Sequence, residues 1–457
     1  MTQNQTEELG NQSVGKLLFK LATPAIAAQI INLLYNLVDR MYIGHIKDIG
    51  DLALTGVGVC LPLIMIISAF AALVSMGAAP RASIFLGKND LENAEKTLGN
   101  SVSLLAIISV ILTVIFQLFS KDMLLIFGAS DNTIDYAVSY IQIYSLGTIF
   151  VQFTLGLNSF ISAEGFAKTS MLTVLIGAVF NIILDPIFIF VFDMGVSGAA
   201  LATIISQAIS MVWTVRFLTS NKSTIRIKKQ YLKLDKSIFL PSMALGLAPF
   251  IMQSTESLIA ICFNSSLLKY GDDLAVGSMT ILTSVMQFAM LPLQGLTQGA
   301  QPIISFNYGA KNAMRVKQAF KILLISCVSY ATVLWAITML FPKYFVLIFN
   351  NKPELVDFAS NALRIYMAMS LLFGIQLACQ QTFIALGNAK TSLFLALLRK
   401  IILLIPLIYI MPHIYPGDKT TAIFMAEPIA DLIAVTTTAI LFSIQFKSSM
   451  AKLETKK

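Results

Sequence analysis

Charged residues are scarce in this sequence. Asp, Glu, Lys and Arg together make up 12% of the 457 residues, about half of the share in an ordinary soluble domain. Apolar residues make up 56%, which excludes a soluble protein. Because a helix needs about 20 apolar residues to cross a bilayer, the chain has room for about a dozen crossings and for no sizeable soluble domain.

Histidine and cysteine are also rare, and their scarcity limits the chemistry. His45 and His413 are the only histidines and both fall in predicted outer loops, which disfavours a membrane enzyme built on clustered His and Asp. The four cysteines lie in apolar stretches without C-x-x-C spacing, so we expect packing residues rather than disulfides or a zinc site. A repeated pore-lining filter is not visible, which disfavours a channel.

Long apolar runs are the main feature that is present. Helices are the only interpretation, because strands exposed to lipid leave backbone groups unpaired and the runs lack the alternation of a barrel. The fold class predicted is therefore an all-α polytopic membrane protein with twelve transmembrane helices. The predicted spans cover approximately residues 16–44, 52–80, 97–119, 135–158, 169–192, 196–219, 237–266, 273–301, 316–341, 356–380, 391–412 and 420–446.

The net charge of +8 is distributed unevenly between the two sides of the predicted bundle. Of the Lys and Arg residues, 24 fall in or near the termini and the even-numbered loops, and 7 in the odd-numbered loops, with Arg364 inside a span. Because basic residues accumulate on the cytoplasmic side, both termini are predicted in the cytoplasm. The basic charge is mostly an orientation signal, so nucleic-acid binding is not expected.

The chain contains an internal repeat. Across residues 77–171, an offset of 222 residues without a gap produces 24 identities in 95 positions. Two six-span copies enter the membrane from the same side, so they are predicted to be related by an axis along the membrane normal. We predict an N-terminal lobe at 1–219, a basic cytoplasmic linker at 220–236 and a C-terminal lobe at 237–457, with a cleft between the lobes as in alternating-access transporters. The repeat aligns Gly77, Ala78, Pro80, Ser83 and Gly87 with Gly299, Ala300, Pro302, Ser305 and Gly309.

A few polar residues lie inside the predicted spans of the N-terminal lobe, where an ionisable side chain normally faces a cavity or a partner. Asp39 lies near the outer end of span 1, with Tyr35 one turn earlier on the same helix face. Asp185 lies in span 5 with Asn181 one turn earlier, and Thr203 lies in span 6. These groups could surround one hard cation or share a proton. A second interpretation is that the two carboxylates cap or anchor helices near the outer surface.

These motifs resemble one transporter family over nearly the whole chain. The two six-span halves, the GA-x-P-x-x-S-x-x-x-G loop after spans 2 and 8, YN-x-x-D in span 1 and FN-x-x-x-DP in span 5 are similar to the multidrug and toxic compound extrusion (MATE) transporters. The set Tyr35, Asp39, Asn181, Asp185 and Thr203 resembles the cation-coupling site of the DinF-like prokaryotic branch. The resemblance implies a monomeric antiporter of a prokaryotic cell membrane. It would export amphipathic, often cationic drugs, driven by proton or sodium entry and without a further cofactor or metal.

The predicted C-terminal lobe has its own polar set, which leaves two interpretations open. Glu256 lies in span 7, and Glu427 and Asp431 lie one turn apart in span 12. Arg399 and Lys400 lie in span 11. Glu256 resembles a coupling glutamate of another MATE branch, so the set is a candidate second ion or drug-cation site. Alternatively, Arg399 neutralises Glu427 or Asp431 between packed helices.

The sequence contains 31 Phe and 20 Met, some of which we expect to line the cleft because they accept flat cationic ligands. Gln287, Gln294 and Gln298 in span 8 are candidate cleft residues, although hydrogen bonding between helices explains them equally well. A flippase of lipid-linked precursors would share the two lobes but needs more basic residues in its cavity. The candidates for that role are Arg364, Arg399 and Lys400.

Overall fold

A computed structural model describes residues 3–455, and within that range the regular structure is helical, without strands. Ten helices in the described range are long and apolar enough to cross a membrane, and two bent pairs raise the number to twelve. The predicted all-α fold with twelve spans is therefore confirmed. Two lysines counted in the charge distribution, Lys456 and Lys457, lie outside the described residues.

The N-terminal lobe starts with a short helix that hydropathy did not predict. Its six spans follow, and the fourth consists of two helices. The helices are α1 (Gln3–Asn11), α2 (Val14–Gly44), α3 (Gly50–Gly87), α4 (Leu91–Ile126), α5 (Ile134–Leu146), α6 (Thr148–Ala163), α7 (Ala167–Pro186) and α8 (Gly195–Thr219).

The C-terminal lobe repeats this order after the linker, which is irregular apart from a 3-10 turn at Lys229–Tyr231. Its helices are α9 (Lys236–Tyr270), α10 (Asp273–Gly309), α11 (Ala313–Leu340), α12 (Pro342–Leu347), α13 (Pro353–Tyr366), α14 (Phe373–Ala385), α15 (Ala389–Leu397), α16 (Ile405–Ile414) and α17 (Lys419–Thr455).

Spans 4 and 10, predicted as single helices, are each broken. Helices α5 and α6 meet at Gly147 with a bend of 58°, and the segment Pro353–Tyr366 meets Ser370–Ala385 with a bend of 43°. A Cβ at Gly147 would lie 2.3 Å from Cγ2 of Ile204, so the bend also brings this backbone against α8. Hydropathy does not reveal such a bend, because the helices on both sides of it are apolar. Each bent pair is counted as one of the twelve spans.

Two spans contain π-helical turns. In span 5, Pro186 ends α7 and Ile187–Val191 forms a π-helix, because proline cannot donate the backbone hydrogen bond that would continue a regular helix. In span 11, Leu398–Leu404 forms a second π-helix between α15 and α16. Turns of this kind often occur at functional sites, and both lie beside the polar residues selected from the sequence.

The two lobes repeat backbone details as well as sequence. Gly165 and Gly387, which are 222 positions apart, both have positive φ angles, of 92° and 77°. Asn89 and Lys311 have the same spacing and φ angles of 60° and 55°. Because such left-handed residues are uncommon outside glycine, their coincidence supports the interpretation of the repeat as one structural unit used twice.

The repeated Gly-Ala-x-Pro motifs form the contact between the lobes. A Cβ at Gly87 would lie 1.9 Å from the carbonyl oxygen of Phe306, and one at Gly309 would lie 2.0 Å from that of Ile84. Phe306 and Ile84 are themselves 222 positions apart, so the two contacts are equivalent under the repeat. The lobes therefore meet backbone to backbone at the end of the bundle that carries the linker. We call it the linker end.

Helix α1 lies across this closed contact. The Thr6 hydroxyl donates to the backbone oxygen of Glu164 in the first lobe, at 3.2 Å. In the second lobe, the Arg315 guanidinium donates to the carbonyls of Leu9 and Gln12, at 3.1 and 2.8 Å. The Leu9 side chain is completely buried. The first residues of the chain thus tie both lobes together.

The linker is held by one buried carboxylate. Glu164, in the turn between α6 and α7, accepts hydrogen bonds from Ser223 Oγ at 2.8 Å and from the backbone N–H groups of Thr224 and Ile225 at 2.5 and 3.3 Å. Burial is the largest influence on its pKa and raises it to about 7, although these hydrogen bonds act in the opposite direction. Glu164 therefore anchors the linker with a group that changes charge near neutral pH.

The closed linker end makes a cross-linking prediction. Lys88 and Ala310 follow Gly87 and Gly309 directly, and a Cβ at Gly87 would lie 2.9 Å from the Ala310 backbone nitrogen. With the native cysteines replaced by alanine, a Lys88→Cys, Ala310→Cys variant should cross-link efficiently under conditions that favour this conformation. A pair of Lys88→Cys, just before the start of α4, with Lys121→Cys, near the other end of α4, is the control and should not react. If the yield for the first pair does not change with substrate or ion gradient, rocking of the two lobes is contradicted.

Candidate functional site

The structure brings together the polar residues selected in the first lobe. The carboxyl groups of Asp39 on α2 and Asp185 on α7 lie within hydrogen-bonding reach of each other. Asn181 Nδ2 donates to Asp185 Oδ1 at 3.1 Å and lies 3.4 Å from Thr203 Oγ1 on α8. Three helices thus contribute to one polar cluster, which we call the N-lobe site.

The spacing of these residues explains why the helices present them together. Tyr35 and Asp39 are four residues apart on α2, and Asn181 and Asp185 are four residues apart on α7, so each pair shares a helix face. Asn181 is 2% exposed and Asp185 is fully buried. The alternative that Asp185 caps a helix at the outer surface is disfavoured, because a surface cap would contact water.

The cluster contains oxygen atoms without partners. Asp39 Oδ1, Asp185 Oδ2 and Asn181 Oδ1 are buried and accept no hydrogen bond from residues 3–455. A buried acceptor without a donor costs free energy, and carboxylate and amide oxygens are the ligands of hard cations. The donor set therefore fits a proton shared between the carboxylates or a sodium ion.

Two tyrosines that the sequence reasoning did not select lie beside this cluster. Tyr140 and Tyr144 on α5 are 3% and 6% exposed, and their rings stack at 5.9 Å. The Tyr140 hydroxyl lies within hydrogen-bonding reach of Thr203. Their four-residue spacing was a signal that could have been used, but tyrosines on an apolar helix face are usually packing residues.

The charged residues predicted as a second polar site are paired with one another. Arg399 donates through Nε to Asp431 at 2.6 Å and through Nη2 to Glu427 at 3.1 Å, so it bridges these two carboxylates of α17. The Lys400 ammonium lies 2.8 Å from Glu256 Oε1 on α9. The predicted second polar site thus consists of two ion-paired groups. This geometry agrees with the alternative interpretation, in which Arg399 neutralises carboxylates between packed helices. Because a π-helix has more residues per turn than an α-helix, the consecutive residues Arg399 and Lys400 both reach carboxylate partners on other helices.

The pairing predicts a large loss of stability when Arg399 is removed. Arg399→Met leaves Glu427 and Asp431 buried without their cation and should destabilise the protein by about 3–5 kcal/mol. Thermal unfolding in detergent measures this, and Arg364→Met, at a more exposed arginine, is the control. Adding Glu427→Gln and Asp431→Asn to Arg399→Met should recover most of the stability. If the neutral triple variant is stable but does not transport, these charges have a role beyond packing.

The three glutamines of α10 occupy different environments. Gln298 is half-buried and accepts a hydrogen bond from Gln29 of α2 at 3.3 Å, across the contact between the lobes. Gln287 and Gln294 are exposed. Of the three, Gln298 therefore has the interhelical role that was the alternative to a cleft function, while Gln287 and Gln294 remain predicted cleft residues.

The lobes also meet through aromatic and sulfur-containing side chains between α3 and α9. The rings of Phe70 and Phe250 pack edge to face at 5.0 Å, and Ser257 Oγ lies 3.6 Å from Met65 Sδ. Phenylalanine rings and a thioether are adaptable apolar surface of the kind expected next to a site for flat cationic ligands.

Sequence comparisons assign the chain to a family. The MatE family profile matches residues 24–187 and 249–410, which is one match in each lobe. The multidrug export protein MepA of Staphylococcus haemolyticus (strain JCSC1435) is 25% identical over 403 residues, covering 88% of each chain. MepA of Staphylococcus aureus (strain NCTC 8325 / PS 47) is 26% identical over 402 residues, again covering 88% of each chain.

Solved structures agree with this assignment. The MATE multidrug transporter DinF-BH, solved in a ligand complex, is 34% identical and superposes with a TM-score of 0.88, covering 96% of this chain and 97% of that one. A MATE structure in the bent conformation has a TM-score of 0.92 at 21% identity, covering 99% and 100%, and shows the shared two-lobe fold. With a family match in both lobes and a relative of this identity along nearly its whole length, this chain belongs to the MatE family of membrane transporters.

Proposed function

We propose that the protein is a cation-coupled antiporter that exports amphipathic, often cationic organic compounds by alternating access, with a proton or a sodium ion as the entering cation. The observation that carries the proposal is the facing pair Asp39 and Asp185 with its unpartnered buried oxygens. Two ionised carboxylates so close together repel in a low dielectric. The pair therefore requires a positive charge, which the coupling ion supplies.

Helix α2 offers a path from this pair to the other lobe. Its first half packs in a core cluster with α10 and α11, to which Leu17, Leu18 and Leu21 contribute, and its second half carries Asp39. Pro24 interrupts the helical hydrogen bonds between these halves. A cation that draws Asp39 toward Asp185 therefore acts on a helix whose other half packs against the opposite lobe.

Coupling of cation entry to drug export requires only that the cation and the drug prefer different conformations of the transporter. Each ligand shifts the equilibrium by no more than its differential affinity for the two states. A cation bound at the N-lobe site moves α2 relative to α10 and lowers the affinity of the cleft for the drug, which is then released outward. The relatives named multidrug export proteins and the ligand complex of the multidrug transporter DinF-BH support this class of substrate.

The charges in the second lobe weigh against a flippase. A cavity that holds an anionic pyrophosphate needs free basic groups, but Arg399 and Lys400 are occupied by three carboxylates. Arg364 donates to the carbonyl of Met339 and is a single positive charge. An enzymatic function has no support from the named relatives, which are transporters.

Transport in proteoliposomes tests the proposal. Purified protein is reconstituted, and ethidium movement is followed with an imposed pH gradient and, separately, with an imposed sodium gradient. We expect one gradient to drive ethidium against its concentration difference and a protonophore or sodium equilibration to abolish the movement. Ethidium movement that neither gradient drives would refute antiport. Movement of a labelled lipid-linked precursor without either gradient would favour the flippase instead.

A further inference from the structure

The surface of the linker end contains an open cleft that the transport cycle described above does not use. It has a volume of about 350 Å³ and lies between α4 and the end of the linker. Three of its lining side chains are lysines, Lys96, Lys233 and Lys236, against one aspartate, Asp235. The lining is therefore cationic, and Lys233 and Lys236 form no ion pair with any residue of the range 3–455.

The aspartate of the lining, Asp235, forms hydrogen bonds at the start of α9. Asp235 Oδ1 accepts hydrogen bonds from the backbone N–H and the hydroxyl of Ser237, at 2.9 and 2.7 Å, and so caps α9. Glu92 pairs with Lys96 at 2.7 Å, but both side chains are partly exposed, and such pairs are weak. The cleft thus keeps an excess of positive charge.

Side-chain hydrogen bonds hold the walls of the cleft in place. Asn100 is buried, and its side chain donates to the carbonyl of Tyr231 at 3.3 Å and accepts from the N–H of Asp235 at 2.7 Å. One turn further along α4, Ser103 Oγ donates to the carbonyl of Leu232 at 2.5 Å. The linker is therefore fixed on α4, and the position of the lysines around the cleft is defined by the fold.

The walls continue into apolar surface. Lys96, Asn100, Ser103 and Ile107 follow one another on one face of α4 at helical spacing, and Ile107 is 45% exposed. On α9, Leu240 lies one turn after Lys236 and is 53% exposed. The cleft is cationic and the surface that continues from it is apolar. Together they are complementary to a molecule with an anionic head and hydrocarbon chains.

We propose that this cleft binds an anionic phospholipid of the leaflet at the linker end, with its phosphate among Lys96, Lys233 and Lys236 and its chains along Ile107 and Leu240. A phosphate group would satisfy the lysines in either a lipid or a free anion, but only the lipid also covers the apolar surface. The charge distribution of the chain predicts this end to be cytoplasmic, and the anionic lipids of that leaflet attract basic residues. The lipid joins α4 of one lobe to the start of α9 of the other.

Native mass spectrometry of the full-length protein in detergent tests the site. Phosphatidylglycerol and phosphatidylcholine with identical chains are titrated into the wild type and into a Lys96→Gln, Lys233→Gln, Lys236→Gln variant. We expect the wild type to prefer phosphatidylglycerol by about tenfold or more and the variant to lose this preference. The matched control changes three exposed lysines elsewhere at the linker end, Lys168→Gln, Lys222→Gln and Lys321→Gln, and should retain it.

Three other results would decide against the proposal. If the triple variant keeps the preference, the cleft is not the site. If inorganic phosphate at equal concentration displaces phosphatidylglycerol, the cleft binds free anions instead of lipid. Should the triple variant fold poorly, Lys233→Glu, at a single exposed position, reverses one charge, and an unchanged preference in that variant overturns the proposal equally. Loss of lipid preference with intact gradient-driven efflux would separate this site from the coupling site.

Discussion

Replacement of Asp39 by Asn should reduce gradient-driven efflux to the level of cells that lack the protein, a loss of at least about tenfold. The amide keeps the shape of the side chain but can neither release a proton nor contribute charge to a bound sodium ion. Asp185→Asn should have the same effect, because the two carboxyl groups face each other in the N-lobe site. Ethidium efflux from energised cells, corrected for the amount of protein in the membrane, measures the loss.

The control for these variants is a carboxylate outside the site. Asp51 lies in the first turn of α3 and is exposed, so Asp51→Asn should leave efflux unchanged. All variants should insert and elute as the wild type does, since the amide keeps the shape of the side chain and removes the repulsion between two buried carboxylates. Full efflux by an Asp39→Asn, Asp185→Asn double variant would disprove the N-lobe site and direct attention to Glu256, Glu427 and Asp431.

Gly77→Ala should shift the protein away from the conformation in which the linker end is closed. The new Cβ would lie 1.9 Å from the carbonyl oxygen of Ser242 and 2.6 Å from the backbone nitrogen of Gly246, and backbone atoms cannot move aside as a flexible side chain can. Overpacking costs about 1–3 kcal/mol, which lowers the population of the closed state by about 5-fold to 150-fold. The distance between spin labels at Lys88→Cys and Ala310→Cys reports that population.

The same helix provides the matched control. Gly58 of α3 has no atom within 4 Å of the position where a Cβ would lie, so Gly58→Ala should leave the distance distribution unchanged. Efflux should fall in Gly77→Ala and not in Gly58→Ala, because a transporter that cannot close one end cannot complete its cycle. A distance distribution of Gly77→Ala identical to that of the wild type would contradict the proposed role of this contact.

Much of the architecture could be predicted from composition alone. Long apolar runs have only one stable arrangement in lipid, because every backbone group must find a partner within the helix. The linker was predicted at 220–236, and α8 ends at Thr219 while α9 begins at Lys236. Charge determined these boundaries, because a cluster of basic residues is costly in hydrocarbon and marks a loop.

Other parts of the fold depend on contacts that are distant in sequence. The bend at Gly147 occurs within apolar sequence and brings the chain against Ile204. Helix α1 has a polar sequence that is unstable by itself at nine residues, and it is held by Arg315 and by Thr6. Periodicity could not reveal either feature.

The candidate site likewise has features that the sequence determined and features that depend on the tertiary structure. The sequence by itself determined the residue types: because an isolated carboxylate in a membrane is costly, Asp39 and Asp185 were interpreted either as a cation site or as helix caps near the outer surface. Helical spacing also placed Asn181 on the same face as Asp185. Only the tertiary structure decided that α2, α7 and α8 bring these groups together with Tyr140, and that Arg399 and Lys400 are neutralised by partners on α17 and α9. Spacing along one helix is a local property, but the partner across a helix interface follows from how all the helices pack.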